Sequence, residues 1–498
     1  MNIKEAKEEI IHTVKAYTAK DELGNYEIGI THQRPVLLIG PPGIGKTAIM
    51  EQVARECGIG LVAYTITHHT RQSAIGLPII EHKDFNGKEY PVTEYTMSEI
   101  IGSVYDQMEK TGLKEGILFI DEINCVSETL APTMLQFLQG KTFGNHRVPD
   151  GWIIVAAGNP PEYNKSVKEF DIVTLDRVKR IDVRENLPVW KEYAYKEAIH
   201  GSIISYLDVK KENFYTVETT VEGKRFVTAR GWEDLSQMIK VYQKLNIPVT
   251  EGVIGQYLQH PGIAKEFAAY LDLYEKYASD YNPDDILRGR VLPGAVERMA
   301  SAPFDEKLSV IGLLVSRLSD GARECFEKDS FVERLFAALK FVKSEPDLLE
   351  GLTMVLTNEK EKWEKNQNGK AMDKADARIA QHLMNKLEEY IKMVRNGGDF
   401  EAVKTDFNGE AAKRQEMITH WKSGFDNSFG FIEAAFGESQ EMVVFITELN
   451  SSHYALWFIG ENGCEKYYQY NQGLLLGERQ RSIMSDIQGI EKELSFLN

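Results

Sequence analysis

The sequence predicts an α/β fold with a five-stranded parallel sheet in the first half of the chain and a mostly α-helical second half. Two observations predict this class. Apolar runs alternate with helical patterns up to residue 184, and strands that alternate with helices form βαβ units around a parallel sheet. From residue 184 onward, amphipathic helical patterns follow one another. We therefore expect one sheet-containing domain followed by helical ones.

Five apolar runs are the predicted strands. They are nearly continuous in apolar character, as strands buried on both faces require. The runs are 35–40 (PVLLIG), 60–67 (GLVAYTIT), 116–122 (GILFIDE), 152–159 (WIIVAAGN) and 177–183 (RVKRIDV). After the first run, Ile49, Val53 and Cys57 recur at helical spacing and Gly58 provides a stop, so a helix should follow the first strand directly.

Composition and charge exclude several classes of protein. At 498 residues the chain is too long for one hydrophobic core, so two or three domains are expected. The net charge of −17 argues against a broad nucleic-acid surface, which needs clustered Lys and Arg. The apolar runs are too short to span a membrane. The 4 cysteines form no C-x-x-C pair, which excludes a disulfide framework or zinc site and favours a reduced, cytoplasmic protein.

The segment GPPGIGKT, residues 40–47, fits the phosphate-binding pattern G-x-x-x-x-G-K-[ST]. Glycines allow consecutive backbone N–H groups to point at a phosphate, and the following helix adds the positive end of its dipole. The lysine of this pattern reaches the β- and γ-phosphates, and the hydroxyl binds Mg²⁺. An ordinary Pro-Gly turn is the alternative, but the position between a strand and a helix favours a nucleotide site. The predicted nucleotide-binding residues are Gly40, Pro41, Pro42, Gly43, Ile44, Gly45, Lys46, Thr47 and Ala48.

Two acids follow the apolar run of the third predicted strand, in ILFIDE. Ligands of open α/β sheets bind at the carboxyl ends of the strands, so acids there are well placed to meet a bound nucleotide. We expect Asp121 to hold Mg²⁺ together with Thr47, and Glu122 to polarise the attacking water. A strand that simply ends in acids is the alternative, and the upstream phosphate loop argues against it.

Four more polar residues are candidates for the same chemistry. Asn159 ends the apolar run IIVAAGN, where its amide would orient the lytic water, although Asn-Pro is also a turn signal. Arg177 and Arg180 lie beside the last predicted strand, and Arg230 begins a helical pattern that Thr228 would cap. Charge on a transferring phosphoryl group needs an arginine, often one from a neighbouring subunit. Each arginine, taken alone, is as well explained as a solvated surface residue.

These motifs, in this order, resemble those of the AAA+ ATPases. GPPGIGKT is similar to the Walker A motif of that family and ILFIDE to its Walker B motif. Asn159 matches sensor 1, Arg177 the arginine finger and Arg230 sensor 2. The resemblance implies an enzyme that binds ATP with Mg²⁺ and hydrolyses it.

The resemblance covers about half of the chain and implies three domains. Residues 1–187 would be the AAA+ nucleotide-binding domain, and residues 188–262 a helical lid. Alternating residues around Glu222 and Gly223 predict a small hairpin within that lid. Residues 263–498 lie beyond the resemblance and form the predicted helical accessory region.

Within AAA+, the sequence looks most like the MoxR branch. Residues 121–160 are similar to the stretch from Walker B to sensor 1 in that branch, with 140–152 as the hairpin before sensor 1. Residues 68–95 fit its insertion in helix two. The stretch after sensor 1 departs from the usual Leu-Pro-Glu-Ala run, which leaves open whether Arg177 or Arg180 is the finger; Arg177 is the better match.

The MoxR resemblance implies a ring, usually hexameric, that remodels or activates a client protein. Such rings often act on von Willebrand factor A domains, and because this chain lacks a DxSxS metal motif, that domain would be a separate protein. The client, the subunit number, the role of residues 263–498 and whether Arg230 acts within its own subunit are left open. Two other functions are alternatives. The first is a nucleic-acid motor, which the basic residues Lys141, His146 and Arg147 of the predicted hairpin favour and the negative net charge disfavours. The second is a nucleotide-gated scaffold, which would bind ATP without hydrolysing it.

Two segments of the accessory region are predicted individually. Residues 359–394 are highly charged with a sparse apolar stripe, which predicts a solvated helical hairpin. Residues 440–463 are apolar enough to be strands, but Ser452 as a cap and Gly460 and Gly463 as stops favour short helices.

Overall fold

A computed structural model describes residues 1–68, 74, 76–127, 129–143, 145–163, 167, 170–220, 223–368 and 372–472. The described chain divides into two compact units. The first unit contains Met1–Val189 and returns to include described residues between Met354 and Ala380. The second contains Trp190–Thr353 and the described residues from Gln381 onward. The predicted domain boundaries at 187 and 262 stay predictions.

A five-stranded parallel sheet forms the centre of the first unit and confirms the predicted fold class. The strand order is β2-β5-β8-β1-β9, and every neighbouring pair is parallel. The strands of this unit are β1 Val36–Ile39, β2 Gly60–Thr65, β3 Pro78–Phe85, β4 Lys88–Tyr95, β5 Gly116–Asp121, β6 Thr142–Phe143, β7 His146–Arg147, β8 Trp152–Gly158 and β9 Lys179–Asp182. All five predicted apolar runs therefore contain sheet strands.

Helices cover both faces of this sheet. They are α1 Ile3–Thr18, α2 Lys46–Cys57, α3 Glu99–Thr111, α4 Ala131–Gly140 and the short α5 Ile172–Leu175. Val36 and Leu38 of β1 face a core that contains Ile10 of α1 and Val53 of α2. Leu37 faces the other core, which contains side chains of α3 and α4. Because both faces are buried, the strands have the continuous apolar character seen in the sequence.

Two antiparallel hairpins extend this unit. The insertion predicted at 68–95 contains the long hairpin β3–β4, with residues 69–73 and 75 outside the described part. The hairpin expected before sensor 1 is β6–β7, with Gly144 outside the described part. His146 of this short hairpin hydrogen-bonds through Nε2 to the Tyr95 carbonyl oxygen at 2.9 Å, so the two hairpins are linked at the base of β4.

From residue 187 onward the described chain is almost entirely helical, as predicted. The one hairpin in this described part is β10 Thr216–Thr220 with β11 Gly223–Val227, as predicted around Glu222 and Gly223, with residues 221 and 222 outside the described part. The helices are α6 Leu187–Lys196, α7 Gly201–Val209, α8 Ala229–Leu245, α9 Glu251–Tyr257, α10 Pro261–Tyr281, α11 Pro283–Leu287, α12 Ala295–Ser301, α13 Phe304–Val342, α14 Leu348–Asn368, α15 Lys374–Arg395, α16 Phe400–Phe436, α17 Gln440–Ser451 and α18 His453–Asn462.

The segment at 359–394 is helical, as predicted, and belongs to α14 and α15. The prediction that this segment is solvated is wrong for its apolar stripe, which is buried. Ile379, Leu383 and Leu387 of α15 are all buried. They recur every four residues and so share one helix face. Part of this hairpin belongs to the first unit, where Asp373 lies 3.6 Å from Arg55 of α2. The sparse stripe is therefore buried, while the charged residues on the other face of α15 stay exposed.

The predicted short helices at 440–463 are α17 and α18. Ser452 caps α18 as expected, since its hydroxyl accepts the N–H of Ala455 at 3.3 Å. Gly463 follows the last residue of that helix, as predicted, whereas Gly460 lies inside the helix and its prediction as a stop is wrong. Among the residues that the structure describes, each helix is too short or too polar to cross a membrane.

Candidate ATP site

The strand order brings the predicted motifs to one edge of the sheet. β8 lies between β1 and β5, and because all three strands are parallel their carboxyl ends lie side by side. β1 leads into the phosphate loop, β5 ends at Asp121 and β8 ends one residue before Asn159. Asn159 therefore follows the strand between the phosphate loop and the two acids, although it comes last in sequence.

The phosphate loop depends on its glycines for shape. Gly43 and Gly45 have φ angles of 75° and 94°, in the left-handed region that favours glycine. A Cβ atom at Gly40 would lie 2.7 Å from the Val183 carbonyl oxygen, so no larger residue fits there. Gly45 is also the N-cap of α2, a 12-residue helix that begins at Lys46. The positive end of that helix therefore adjoins the loop, where an anion would bind.

The Lys46 amine is held at the centre of the site. It donates to the carbonyl oxygens of Gly40 and Pro41, both at 2.8 Å, and to Oδ1 of Asn159 at 2.9 Å. The residue is only 8% exposed. A buried ammonium group needs such oxygen partners, and a phosphate that entered the loop would provide stronger ones. Lys46 thus joins the phosphate loop to the strand that carries Asn159.

Thr47 and Asp121 offer the oxygen ligands that Mg²⁺ prefers. The Thr47 hydroxyl donates to Oδ2 of Asp121 at 2.9 Å. Mg²⁺ is bound in nucleotide sites by one or two protein oxygens together with phosphate and water, rather than by a complete protein cage. A hydroxyl and a carboxylate beside the phosphate loop fit that requirement. The chemistry of the residues therefore agrees with a magnesium nucleotide.

Glu122 has an uncommon backbone conformation. Its φ of 58° is left-handed, which is rare for a residue with a side chain. Two hydrogen bonds fix this turn: the Glu122 N–H donates to Oδ1 of Asp121 at 2.9 Å, and the Glu122 carbonyl accepts from the Cys125 N–H at 2.8 Å. An uncommon conformation held by two hydrogen bonds is typical of residues at functional sites.

Asn124 is a site residue that the sequence analysis did not single out. Its side-chain amide donates to the Asn159 carbonyl at 2.8 Å, and its Oδ1 accepts from the Asn159 N–H at 3.3 Å. Gly158 leaves space for it, because a Cβ there would lie 2.5 Å from Oδ1 of Asn124. Asn124 is buried and thus fixes the backbone from which the Asn159 side chain projects. A polar residue between Ile123 and the following apolar positions was the only signal in the sequence.

The two candidate finger arginines differ in their contacts. Arg180 lies in β9, and its guanidinium binds Oδ1 of Asp182 through Nε at 2.9 Å and through Nη2 at 2.8 Å. Arg177 lies in the exposed turn after α5 and donates to the side-chain oxygen of Gln139. A neutral amide holds a guanidinium less strongly than a carboxylate does. Arg177 is therefore the freer of the two to reach a phosphate.

Arg230 lies in the second unit. It is exposed in the first turn of α8, and the predicted cap is present, since the Thr228 hydroxyl accepts the Gly231 N–H at 3.2 Å. The site described above is thus built within the first unit, while the candidate sensor 2 residue comes from the other one.

Two of the three hairpin residues that favour a nucleic-acid motor, Lys141 and His146, are held in contacts within the protein. Lys141 is buried, and its amine donates to Oε1 of Gln33 at 3.0 Å. Burial, with a smaller contribution from Arg147, lowers the pKa of Lys141 to about 8. The His146 ring is hydrogen-bonded to the Tyr95 carbonyl. This leaves Arg147 as the exposed cation of the set, which is too little for a phosphate-binding surface.

Comparison with known proteins agrees with this site. Residues 36–184 match the family described as ATPase family associated with various cellular activities (AAA). The matched part runs from β1 to just beyond β9 and contains the phosphate loop, Asp121, Glu122, Asn159 and Arg177. No curated protein matches the chain. The chain therefore carries an AAA domain, and the protein is an ATPase. AAA domains generally assemble into oligomeric rings.

Proposed function

We propose that this protein is a ring-forming ATPase of the MoxR-like type that uses ATP hydrolysis to remodel or activate a partner protein. The observation that carries the proposal is that the phosphate loop meets the polar ends of two other strands at one edge of the sheet: Lys46 is hydrogen-bonded to Asn159, and Thr47 to Asp121. The backbone N–H of Glu122 is bonded to the same Asp121 carboxylate. The similarity of residues 121–160 to the MoxR branch supports the finer assignment.

Each residue has a role that follows from its position. Lys46 and the loop N–H groups bind the β- and γ-phosphates, and Asn159, already in contact with Lys46, orients the attacking water. Glu122 accepts the proton of that water. Thr47 and Asp121 would hold Mg²⁺, which would neutralise charge on the phosphates. Hydrolysis then yields ADP and phosphate.

The arginines act on the same phosphates. Arg177 of one subunit stabilises the charge that develops on the γ-phosphate bound by its neighbour, which makes hydrolysis depend on the ring. Arg177 is preferred to Arg180 because Arg180 is already paired with Asp182. Arg230 links the nucleotide state to the helical unit. We propose six subunits, as in most rings of this kind.

The energy of hydrolysis acts on a protein client, with a separate von Willebrand factor A domain protein as one such partner. Residues from 263 onward select that client, since they contribute no recognised chemical motif of their own. We place the protein in the cytoplasm on the basis of its cysteines. Nucleic acid is the less favoured client because the net charge is −17 and Lys141 is buried.

The test is replacement of the proposed base. Glu122→Gln should lower the rate of ATP hydrolysis by about 10²- to 10⁴-fold, because general-base catalysis is worth that much, while ATP still binds. The variant should then be used with ATP to capture and identify the client. Glu109→Gln, an exposed acid on α3, is the matched control and should keep the wild-type rate. Unchanged turnover in Glu122→Gln would remove Glu122 from the mechanism.

Two outcomes would favour the alternatives. A wild-type protein that binds ATP but shows negligible hydrolysis would be a nucleotide-gated scaffold. Stimulation of hydrolysis by single-stranded DNA at low salt would instead indicate a nucleic-acid motor.

A further inference from the structure

The short helix α5 exposes two adjacent apolar side chains. Ile172 is 85% exposed and Val173 is 58% exposed. Soluble proteins often expose single apolar residues, so exposure alone carries no conclusion. The other two residues of the helix face inward, since Thr174 is buried and Leu175 packs against the core that contains side chains of α3 and α4. The helix therefore presents Ile172 and Val173 on its outer side, and we call these two residues the α5 pair.

Hydrogen bonds fix Arg177 to the helix that carries the α5 pair. The Asp171 carboxylate accepts the Thr174 N–H at 2.7 Å and so caps the start of α5. At the other end, the Arg177 N–H donates to the Thr174 carbonyl oxygen at 3.1 Å. The helix and the candidate finger are thus one continuous hydrogen-bonded segment. A molecule that covers the α5 pair must therefore lie beside Arg177.

The register of the sheet places Arg177 at the edge opposite to the phosphate loop of its own chain. Strand β9 is parallel to β1, with Lys179 beside Val36. Arg177 comes before Lys179 and so lies at the amino ends of the strands, whereas the phosphate loop follows their carboxyl ends. The four residues of β1 alone separate these two edges by about 13 Å. That distance is longer than an arginine side chain.

The contacts around Arg177 agree with this position. Its guanidinium donates to the side chain of Gln139 near the end of α4. Two residues further along, Lys141 binds the side chain of Gln33, which lies just before β1. The end of α4 is therefore also at the amino edge of the sheet. Arg177 can stabilise a transferring phosphate only in a second molecule, and AAA domains generally assemble into oligomeric rings.

A second copy of the chain is the occupant that this arrangement favours. It would bring a phosphate to Arg177 and cover the α5 pair in the same contact. A client protein on this face would instead cover Arg177 and keep it from every ATP. Nucleic acid would offer phosphates, but the exposed carboxylates of Asp171 and Asp176 beside the α5 pair would repel it.

We propose that the α5 pair packs against the neighbouring copy in the ring and thereby places Arg177 at the ATP bound there. This inference rests on the proposed function, since it names the contact that completes the proposed active site. Ile172 and Val173 are positioning residues, which touch no nucleotide and contribute through the apolar surface that they bury. Hydrolysis then depends on protein concentration, because the finger reaches its phosphate only in the assembled ring.

The test compares self-association with ATP hydrolysis across a dilution series of the protein. Sedimentation velocity with ATP and Mg²⁺ measures association, and phosphate release measures the rate. We expect Ile172→Ser/Val173→Ser to raise the concentration for half-maximal association at least about tenfold, which corresponds to 1.4 kcal/mol. Its rate per chain should fall in dilute protein and return to within about twofold of the wild-type rate in concentrated protein, because mass action restores the ring.

Two controls separate docking from other effects. Leu23→Ser replaces a residue of the first unit that is 86% exposed, and it should match the wild-type protein in both measurements. Arg177→Ala should associate at the wild-type concentration but stay slow at every concentration, because it keeps the α5 pair and lacks the finger. Urea unfolding of the double serine variant should match that of the wild-type protein, since both substituted side chains are exposed.

The possible outcomes distinguish this inference from the proposed function. Association of the double variant at the wild-type concentration would overturn the inference, and hydrolysis by the wild-type protein would leave the proposed function intact. A low rate that concentrated protein does not restore would also overturn it, because the α5 pair would then act otherwise than by docking. Unchanged association with lost capture of the client would assign the α5 pair to the client. A wild-type protein that associates through the pair but hydrolyses no ATP would contradict the proposed function and not the contact.

Discussion

Asn124 is the residue whose role the structure adds to the ATP site. It makes two hydrogen bonds to the backbone of Asn159, at 2.8 and 3.3 Å, and contacts no catalytic side chain in those bonds. It acts as a positioning residue. An amide that orients water must be held closely, since a displacement of about 1 Å can cost roughly 10²-fold in rate.

We predict that Asn124→Ala lowers kcat by about ten- to a hundredfold and leaves the KM for ATP within about twofold, because the phosphate loop is untouched. The free energy of unfolding should also fall by about 1 kcal/mol, since two partly buried backbone groups lose their partner. Steady-state kinetics and urea unfolding measure the two effects. A change in KM with constant kcat would contradict a positioning role, because it would indicate loss of ATP binding instead.

Among single residues, the sequence predicted those that belong to a motif of fixed spacing. It missed those whose role depends on a contact with a residue distant in sequence. Gly40–Thr47 has a fixed spacing because a phosphate must be surrounded by consecutive N–H groups. Asn124 has no such spacing, since any buried amide at the right distance from β8 would do. The preference for Arg177 over Arg180 likewise depends on a contact that the structure shows, the ion pair of Arg180 with Asp182. These two residues are two apart in β9 and so lie on the same face of the strand.

Among the helices, α6, α7 and α17 of the second unit share a buried ionic cluster. Lys191 of α6 lies 2.5 Å from Oδ1 of Asp208 and 2.5 Å from Oε1 of Glu448. The Tyr195 hydroxyl donates to the other oxygen of Glu448 at 2.6 Å. One ammonium thus faces two carboxylates. Burial and the Glu448 carboxylate raise the pKa of Asp208 to about 6, although Lys191 opposes them.

We predict that this cluster makes the second unit more stable at pH 5 than at pH 7. The pKa of Asp208 is higher in the folded protein than its ordinary value of 3.8, so its contribution is complete below 3.8 and is lost as the pH rises through about 6. Between pH 7 and pH 5, the free energy of unfolding of the wild-type protein should gain about 1 kcal/mol relative to Asp208→Asn. Urea unfolding at both values measures it.

The control for this prediction is Asp272→Asn, an exposed acid on α10. The difference between wild-type protein and this control should not change with pH in the same range. If Asp208→Asn behaves like the control, the cluster does not take up a proton in this range, and the raised pKa of Asp208 is wrong.

The sequence predicted elements best where the physical pattern is local. The five strands are confirmed because burial on both faces leaves continuous apolar runs. The helices at 440–463 are confirmed because Ser452 is a cap with a clear signature. The burial of α15 was missed, since whether a stripe such as Ile379, Leu383 and Leu387 is covered depends on a partner element distant in sequence.

Considered as a whole molecule, the protein should need at least two copies for each active site. The phosphate loop and the acids lie together in one chain, whereas Arg177 lies in an exposed turn. A ring in which the same pair of surfaces repeats would bring Arg177 of one copy to the ATP of the next.

We predict that Lys46→Ala and Arg177→Ala are each inactive and that an equal mixture regains activity. In a randomly mixed ring, about a quarter of the sites would combine an intact phosphate loop with an intact finger, since each occurs with a probability of one half. The rate of ATP hydrolysis after mixing measures this. Arg180→Ala should stay active without mixing. No recovery in the mixture would show that Arg177 does not act between copies.

The first unit is discontinuous in sequence, since it ends at Val189 and takes up chain again at Met354. During synthesis, the residues up to Val189 leave the ribosome well before the segment that completes their unit. At about 5–20 residues per second, the intervening chain takes roughly ten to thirty seconds to make. For that time the surface that later receives the hairpin, including Arg55, is uncovered. The first unit can therefore be completed only after residues 190–353 of the second unit have been translated.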